Sequence, residues 1–171
     1  MNPRVPAAHP RILALNPGAS STKLAVFAGD DAVLTATIRH SDDLAPYERL
    51  PVLEQLDMRL AAVRAALAAD PAAAPPWDAV VGRGGLLRPL PGGTYVVNDA
   101  MLADLGAAAR GEHASNLGAF LAARLAGESG RPAYVVDPVS VDEWEDVARL
   151  SGVKGLDRES LSHALNTRAV A

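Results

Sequence analysis

Residues 11–28, RILALNPGASSTKLAVFA, restrict this chain's fold more than any other stretch. Two short apolar runs, 12–15 and 24–27, flank the small polar residues Asn16-Pro17-Gly18-Ala19-Ser20-Ser21-Thr22-Lys23. Runs of this length bounded by turn residues predict two buried strands joined by a loop. The loop offers backbone N–H groups, the hydroxyls of Ser20, Ser21 and Thr22, and the Lys23 cation, which are the parts a phosphate needs. It is not a Walker A loop, in which Gly immediately precedes the Lys and a helix follows. Here Thr22 precedes Lys23 and a strand follows. An ordinary Ser-rich hairpin turn is the other reading of the same residues.

Composition narrows what such a loop can serve. A chain of 171 residues predicts one domain, large enough to bury about 70% of its unfolded surface. Aromatics are only 4% of the residues, so the core has to be aliphatic and Ala-rich. A net charge of −4 with no basic cluster argues against nucleic acid as a partner. No apolar run approaches the roughly 18 residues needed to span a bilayer. Without cysteine there is no disulfide, thiolate nucleophile or Cys-based zinc site. Residues 1–10 hold three prolines and no long apolar run, and predict a flexible lead-in rather than a secretory signal. A cytoplasmic protein is expected.

The pattern continues with a turn at Gly29-Asp30-Asp31 and a third strand over 32–39, which predicts an antiparallel meander. Leu53, Leu56, Leu60, Val63 and Leu67 recur at steps of three and four, predicting a helix over 52–69 with Glu54, Asp57, Arg59 and Arg64 on its polar side. Prolines 71, 75 and 76 end it. Further strands are expected at 77–81, 94–97 and 133–136, and helices at 99–109 (capped by Asn98), 115–127 (ended by Gly127 and Gly130), 142–150 and 162–171. Three sequential strands followed by alternating helices and strands predict an α/β domain with a mixed sheet, an order that resembles an RNase H-like (actin-like ATPase) domain. Ligand sites in such sheets lie at strand ends.

Four further residues stand at predicted strand ends or beside glycines. Arg83, in Gly82-Arg83-Gly84-Gly85, has the chemistry to clamp a carboxylate or phosphate through two parallel hydrogen bonds, or to form a surface ion pair. The glycines around it would let the backbone approach a ligand closely. His113 precedes a helix, where it can donate to an anionic oxygen or serve as a cap. Asp137 ends a strand before Pro138, suited either to orienting a substrate group or a metal-bound water, or to forming a turn. His163 has the weakest local case. No HExxH, HxH or acidic ladder is present, so no protein-built metal cage is expected, and Ser20 and Ser21 lack a GxSxG setting.

Taken together, LNPGASSTK at 15–23, AVVGRGGLLRPLPGGTYVVND at 79–99, GEHASNLG at 111–118, VVDPVSVDE at 135–143 and SHALN at 162–166 resemble the acetokinase family of carboxylate kinases. The resemblance runs in family order from about residue 11 to 171 and is nearer the butyrate kinase branch than the acetate branch. It implies the first domain of a two-domain actin-like kinase and the reversible reaction butanoyl phosphate + ADP ⇌ butanoate + ATP with Mg²⁺. It also implies roles by position. Asn16, Ser20, Ser21 and Lys23 form the phosphate-side loop that serves ATP/ADP, and Arg83 binds the substrate carboxylate and steadies the transferring phosphoryl group. His113 is a substrate-site histidine, Asp137 the active-site aspartate and His163 the histidine of the transition state. The partners implied are a short-chain carboxylate and its acyl phosphate, with a homo-oligomer possible for a full-length protein.

Family members are roughly twice this length, and the second half supplies most of the nucleotide pocket, a second arginine and a magnesium-side glutamate. The chain also stops inside a predicted helix. Residues 11–171 are therefore expected to be the N-terminal half of such an enzyme, without turnover alone. The alternatives are a branched-chain or other short-chain carboxylate kinase, a non-catalytic remnant acting as a binding module, and an unrelated sugar-kinase-like domain.

Overall fold

The structure, a computed structural model, describes residues 9–40, 43–47, 50–161, 165 and 169–170. Strands β1 (Arg11–Pro17), β2 (Ser21–Ala28) and β3 (Asp31–Arg39) form the expected antiparallel meander. Helix α1 (Leu56–Ala68) leads to β4 (Ala79–Arg83), which lies parallel to β1. Next come β5 (Thr94–Val96), α2 (Asp99–Gly106), α3 (Leu117–Ser129) and β6 (Ala133–Val136). The six strands make one mixed sheet of order β3-β2-β1-β4-β6-β5, with β6 parallel to β4 and β5 antiparallel to β6. Strands β7 (Leu150–Val153) and β8 (Leu156–Asp157) form a separate hairpin.

The core follows from strand alternation and helical spacing. Leu13 and Leu15 of β1, Leu24 and Val26 of β2 and Val80 of β4 point to one sheet face, where Leu56, Leu60, Val63 and Leu67 of α1 and Leu117, Leu121 and Leu125 of α3 cover them. A smaller cluster of Leu87, Leu105, Ala119 and Val135 seats α2 against the other end of the sheet. Asn98 caps α2 as expected, its Oδ1 accepting the Met101 N–H at 2.9 Å. No helix among the described residues is long and apolar enough to cross a membrane.

Several expectations need correction. Residues 52–55 form a 3-10 turn ahead of α1, and Leu53 lies exposed. Arg59 is not on the polar side of α1; its side chain is fully buried. Its position explains this, three residues after Leu56 and four before Val63, inside the apolar stripe. Helix α3 continues through Gly127 and ends at Gly130, whose φ of 63° is the left-handed cap that glycine adopts without strain. The stretch 142–150 is not an α-helix. Asp142 accepts the Trp144 N–H and both terminal nitrogens of Arg149, leaving one 3-10 turn at Asp146–Arg149 before the hairpin. The helix expected over 162–171 lies almost wholly outside the described residues.

Candidate functional site

Parallel strands β1, β4 and β6 end at the same edge of the sheet, and alternation aims their polar residues to the face away from α1 and α3. Asn16 pairs directly with Lys23 across β1 and β2. Arg83 follows Gly82, the partner of Leu15, and so lies next to Asn16 on the neighbouring strand. Three adjacent strands therefore present Asn16, Lys23 and Arg83 side by side. Lys23 belongs to β2 and not to the loop, which shortens to residues 18–20. The strand backbone thus sets where its cation points.

A cleft of about 330 Å³ opens beside these residues, lined by Asn16, Lys23, Arg83, His113, Ser115 and the 17–19 turn among others. Asn16, Lys23 and Arg83 also border a shallow, mainly apolar depression of about 500 Å³ on the open sheet face, floored by Ala14, Ala25, Val81 and Val136. The three polar side chains therefore stand where a polar cleft meets an apolar floor. Neither Lys23 nor Arg83 has an ion-pair partner among the described residues.

The turn is built to expose donors. The Gly18 N–H is spent on the Ser21 carbonyl at 2.7 Å, and the Ser20 carbonyl accepts the His40 N–H at 2.9 Å. Ala19 and Ser20 are exposed, and no described residue accepts from their N–H groups. Across the cleft, His113 caps the 3-10 turn Ala114–Asn116, its Nδ1 accepting the Ser115 N–H at 3.2 Å and lying 2.7 Å from Ser115 Oγ. Asn116 ties this turn to the β4 loop, accepting from Leu86 N–H at 2.9 Å and donating to Gly111 O at 3.1 Å.

The structure brings Asn16, Ser21, Lys23, Arg83 and His113 to one cleft. Ser20 is at the apex of the turn, outside the cleft lining. Asp137 directly follows Val136, the partner of Arg83, but its carboxylate turns away from the cleft and accepts the Gly93 N–H at 2.9 Å. Its φ of 45° is unusual for a non-glycine residue and is held by that bond and by its own N–H to Gly93 O. His163 lies outside the described residues. The glycines around Arg83 do not line up for a ligand: Gly82 and Gly85 meet the backbone of Gly118 and Asn116.

Two residues that shape the site carry no motif. Arg59 reaches the turn from behind, and Thr22 Oγ1 lies 2.9 Å from His40 Nε2 and accepts from Arg59 at 3.1 Å. Burial, then the Arg59 charge, hold the His40 pKa below its ordinary value, with Asp43 opposing. Arg59 was findable from its stripe position; nothing in the sequence marked His40.

The donors present suit an anionic oxygen of a phosphate or carboxylate. They do not suit a metal cage: no three His, Cys, Asp or Glu converge among the described residues. Glu143 and Asp137 reach the same space over Gly92, yet each accepts a backbone N–H, from Gly92 and Gly93.

The architecture is an α/β domain with a mixed sheet matching the actin-like ATPase fold. Acetate kinase from Porphyromonas gingivalis shares it with a TM-score of 0.54 at 12% identity, over 89% of this chain and 45% of that one. Acetate kinase from Entamoeba histolytica aligns at 14% identity over 85% of this chain and 39% of that one, with a TM-score of 0.46. A Ppx/GppA enzyme from Aquifex aeolicus aligns at 12% identity over 80% and 54%, with a TM-score of 0.44. The chain thus spans less than half the length of these acetate kinases. No family model matches the sequence.

Proposed function

We propose that the cleft binds the anionic end of a short-chain carboxylate or acyl phosphate, and that the chain is the substrate-side part of a carboxylate kinase. The observation that carries this reading is the convergence of Lys23 and Arg83, both without an ion-pair partner among the described residues, on one cleft beside the 18–20 turn. Two cations with no ion-pair partner among the described residues, in a protein of net charge −4, make this a place for an anion. The adjoining apolar floor suits a short aliphatic tail, and butanoate is the acyl group we favour over acetate. The acetate kinase fold from P. gingivalis supports the reading at the level of architecture.

In the reaction proposed, a carboxylate oxygen attacks the γ-phosphorus of ATP in line. A new P–O bond forms, the β–γ bridging bond breaks, and ADP leaves with its electron pair. Such transfers need positioning and charge neutralisation more than covalent chemistry. Arg83 is assigned to clamp carboxylate and phosphoryl oxygens, Lys23 and the turn N–H groups to the phosphate side, and His113 to an anionic oxygen across the cleft. The roles of Asp137 and His163 rest on the resemblance alone. The nucleotide-side groups, with ATP/ADP and Mg²⁺, belong to the remainder of the proposed enzyme.

Calorimetric titration of the purified chain with butanoyl phosphate, acetyl phosphate and butanoate tests this. Binding that Arg83→Ala weakens at least about tenfold is expected. No binding at millimolar ligand, or an unaffected Arg83→Ala variant, refutes it. Butanoyl phosphate binding no tighter than acetyl phosphate would remove the chain-length preference and leave a general short-chain kinase.

A further inference from the structure

The guanidinium of Arg59 is wholly buried, yet every acceptor it meets among the described residues is neutral. It donates to Gln55 Oε1 at 3.1 and 3.0 Å, Thr22 Oγ1 at 3.1 Å, Ser21 O at 3.3 Å and Ala19 O at 3.0 Å. No ion pair involving it exists among the described residues. Buried charges are ordinarily paired, because neutral hydrogen bonds alone do not repay the lost hydration. A sequence that needed only packing here would place an aliphatic residue at this stripe position, as it does at 56, 60, 63 and 67.

The location of the charge supplies a reason. Ala19 and Ser21, whose carbonyls Arg59 holds, both line the polar cleft. The guanidinium therefore stands one peptide thickness behind the cleft wall. The peptide unit is planar and trans, so the Ser20 N–H points opposite to the Ala19 carbonyl. Drawing that carbonyl inward turns the N–H outward, and no described residue accepts from it. The cation thus does two things from inside the core: it holds two carbonyls of the turn, and it places behind them a positive charge with no ion-pair partner among the described residues.

We propose that Arg59 is a positioning residue for the anion site, holding the 18–20 turn in its donor-presenting form and raising anion affinity without touching the ligand. This rests on the reading of the cleft as an anion site. A unit charge about 8 Å from an anion, at an effective dielectric of about 20 to 40, accounts for roughly a five- to thirtyfold change in affinity.

The test is titration of the full chain with inorganic phosphate and acetyl phosphate, followed by amide NMR, for wild type, Arg59→Met, Arg59→Lys and Arg64→Met. Arg64 lies exposed on the same helix and pairs with Glu128, so its variant removes one charge without reaching the turn. Arg59→Met is expected to weaken phosphate about tenfold and shift the amides of 18–21. Arg59→Lys, which keeps the charge but cannot reach all the acceptors, should recover part of the affinity while the amide shifts persist. Arg64→Met should bind like wild type. If Arg59→Met does not fold, Arg59→Lys decides the matter through a two- to threefold loss with the same shifts. Affinity equal to wild type in the folded Arg59 variants overturns this inference alone. Absence of phosphate or acyl phosphate binding by wild type overturns the cleft reading and this inference with it.

Discussion

Gly82 of β4 and Gly118 of α3 stand back to back, so close that a Cβ on Gly82 would overlap the Gly118 carbonyl, and one on Gly118 would overlap that of Arg83. Backbone meets backbone at this point, and neither side has a flexible atom that can give way. Gly118→Ala is therefore expected to destabilise the fold by about 1–3 kcal/mol through overpacking, despite the better helix propensity of Ala. The urea midpoint measures it. Because Arg83 is the residue pushed, phosphate binding should weaken in the same variant; unchanged stability would mean that the strand and helix can part at no cost.

Lys23 is exposed and Arg83 half-buried, and neither is spent on an ion pair among the described residues. Lys23→Met and Arg83→Met are accordingly expected to leave thermal stability within about 0.5 kcal/mol. Each should weaken acetyl phosphate binding about tenfold, and wild-type affinity should fall with added salt. Arg83→Lys should recover little, since an ammonium cannot make two parallel bonds. Calorimetry at low and high salt checks all of this.

His40 is buried, and burial together with Arg59 holds its pKa below the ordinary 6.5. The unfolded chain takes up a proton near that ordinary value while the folded one resists it. Stability from this source is complete above about pH 6.5 and falls as pH drops towards the folded pKa, by up to about 1.4 kcal/mol per pH unit. Urea unfolding of wild type and His40→Asn between pH 7.5 and 5 should show a steeper decline in wild type. Parallel curves would place the proton elsewhere.

Asp142 lies almost wholly inside and accepts two bonds from Arg149, chiefly by which its pKa is held below the ordinary 3.8. That stabilisation is present above pH 3.8 and is lost as the pH falls through the lower folded value. The Arg158 guanidinium stacks over Trp144, 4.9 Å from the ring centroid, which makes Trp144 a reporter of the same segment. In a Trp77→Phe background, Asp142→Asn should shift Trp144 emission at pH 7, whereas wild type should shift only in acid.

Much of this architecture is legible in the residues in order. The alternation around 18–20 announces β1 and β2, the Leu stripe announces α1, and Asn98 marks the start of α2, because each rests on a period or a cap within a few residues. The 142–150 stretch does not form the expected helix because Asp142 bonds to its own neighbour Trp144 and to Arg149, which outcompetes a weak local propensity.

The opening loop shows where such reading stops. Its turn residues and its place between two strands are local facts, and the chain alone supplied them. Lys23 proved to sit in a strand opposite Asn16, Asp137 turned its carboxylate to Gly93, and Arg59 moved from a polar face into the core behind the turn. Each of these depends on a partner 7 to 44 residues away, whose position follows from strand register and helix docking. Side-chain direction at a strand end and the burial of a charge are settled by those distant neighbours, so they became visible only once the sheet had closed on its helices.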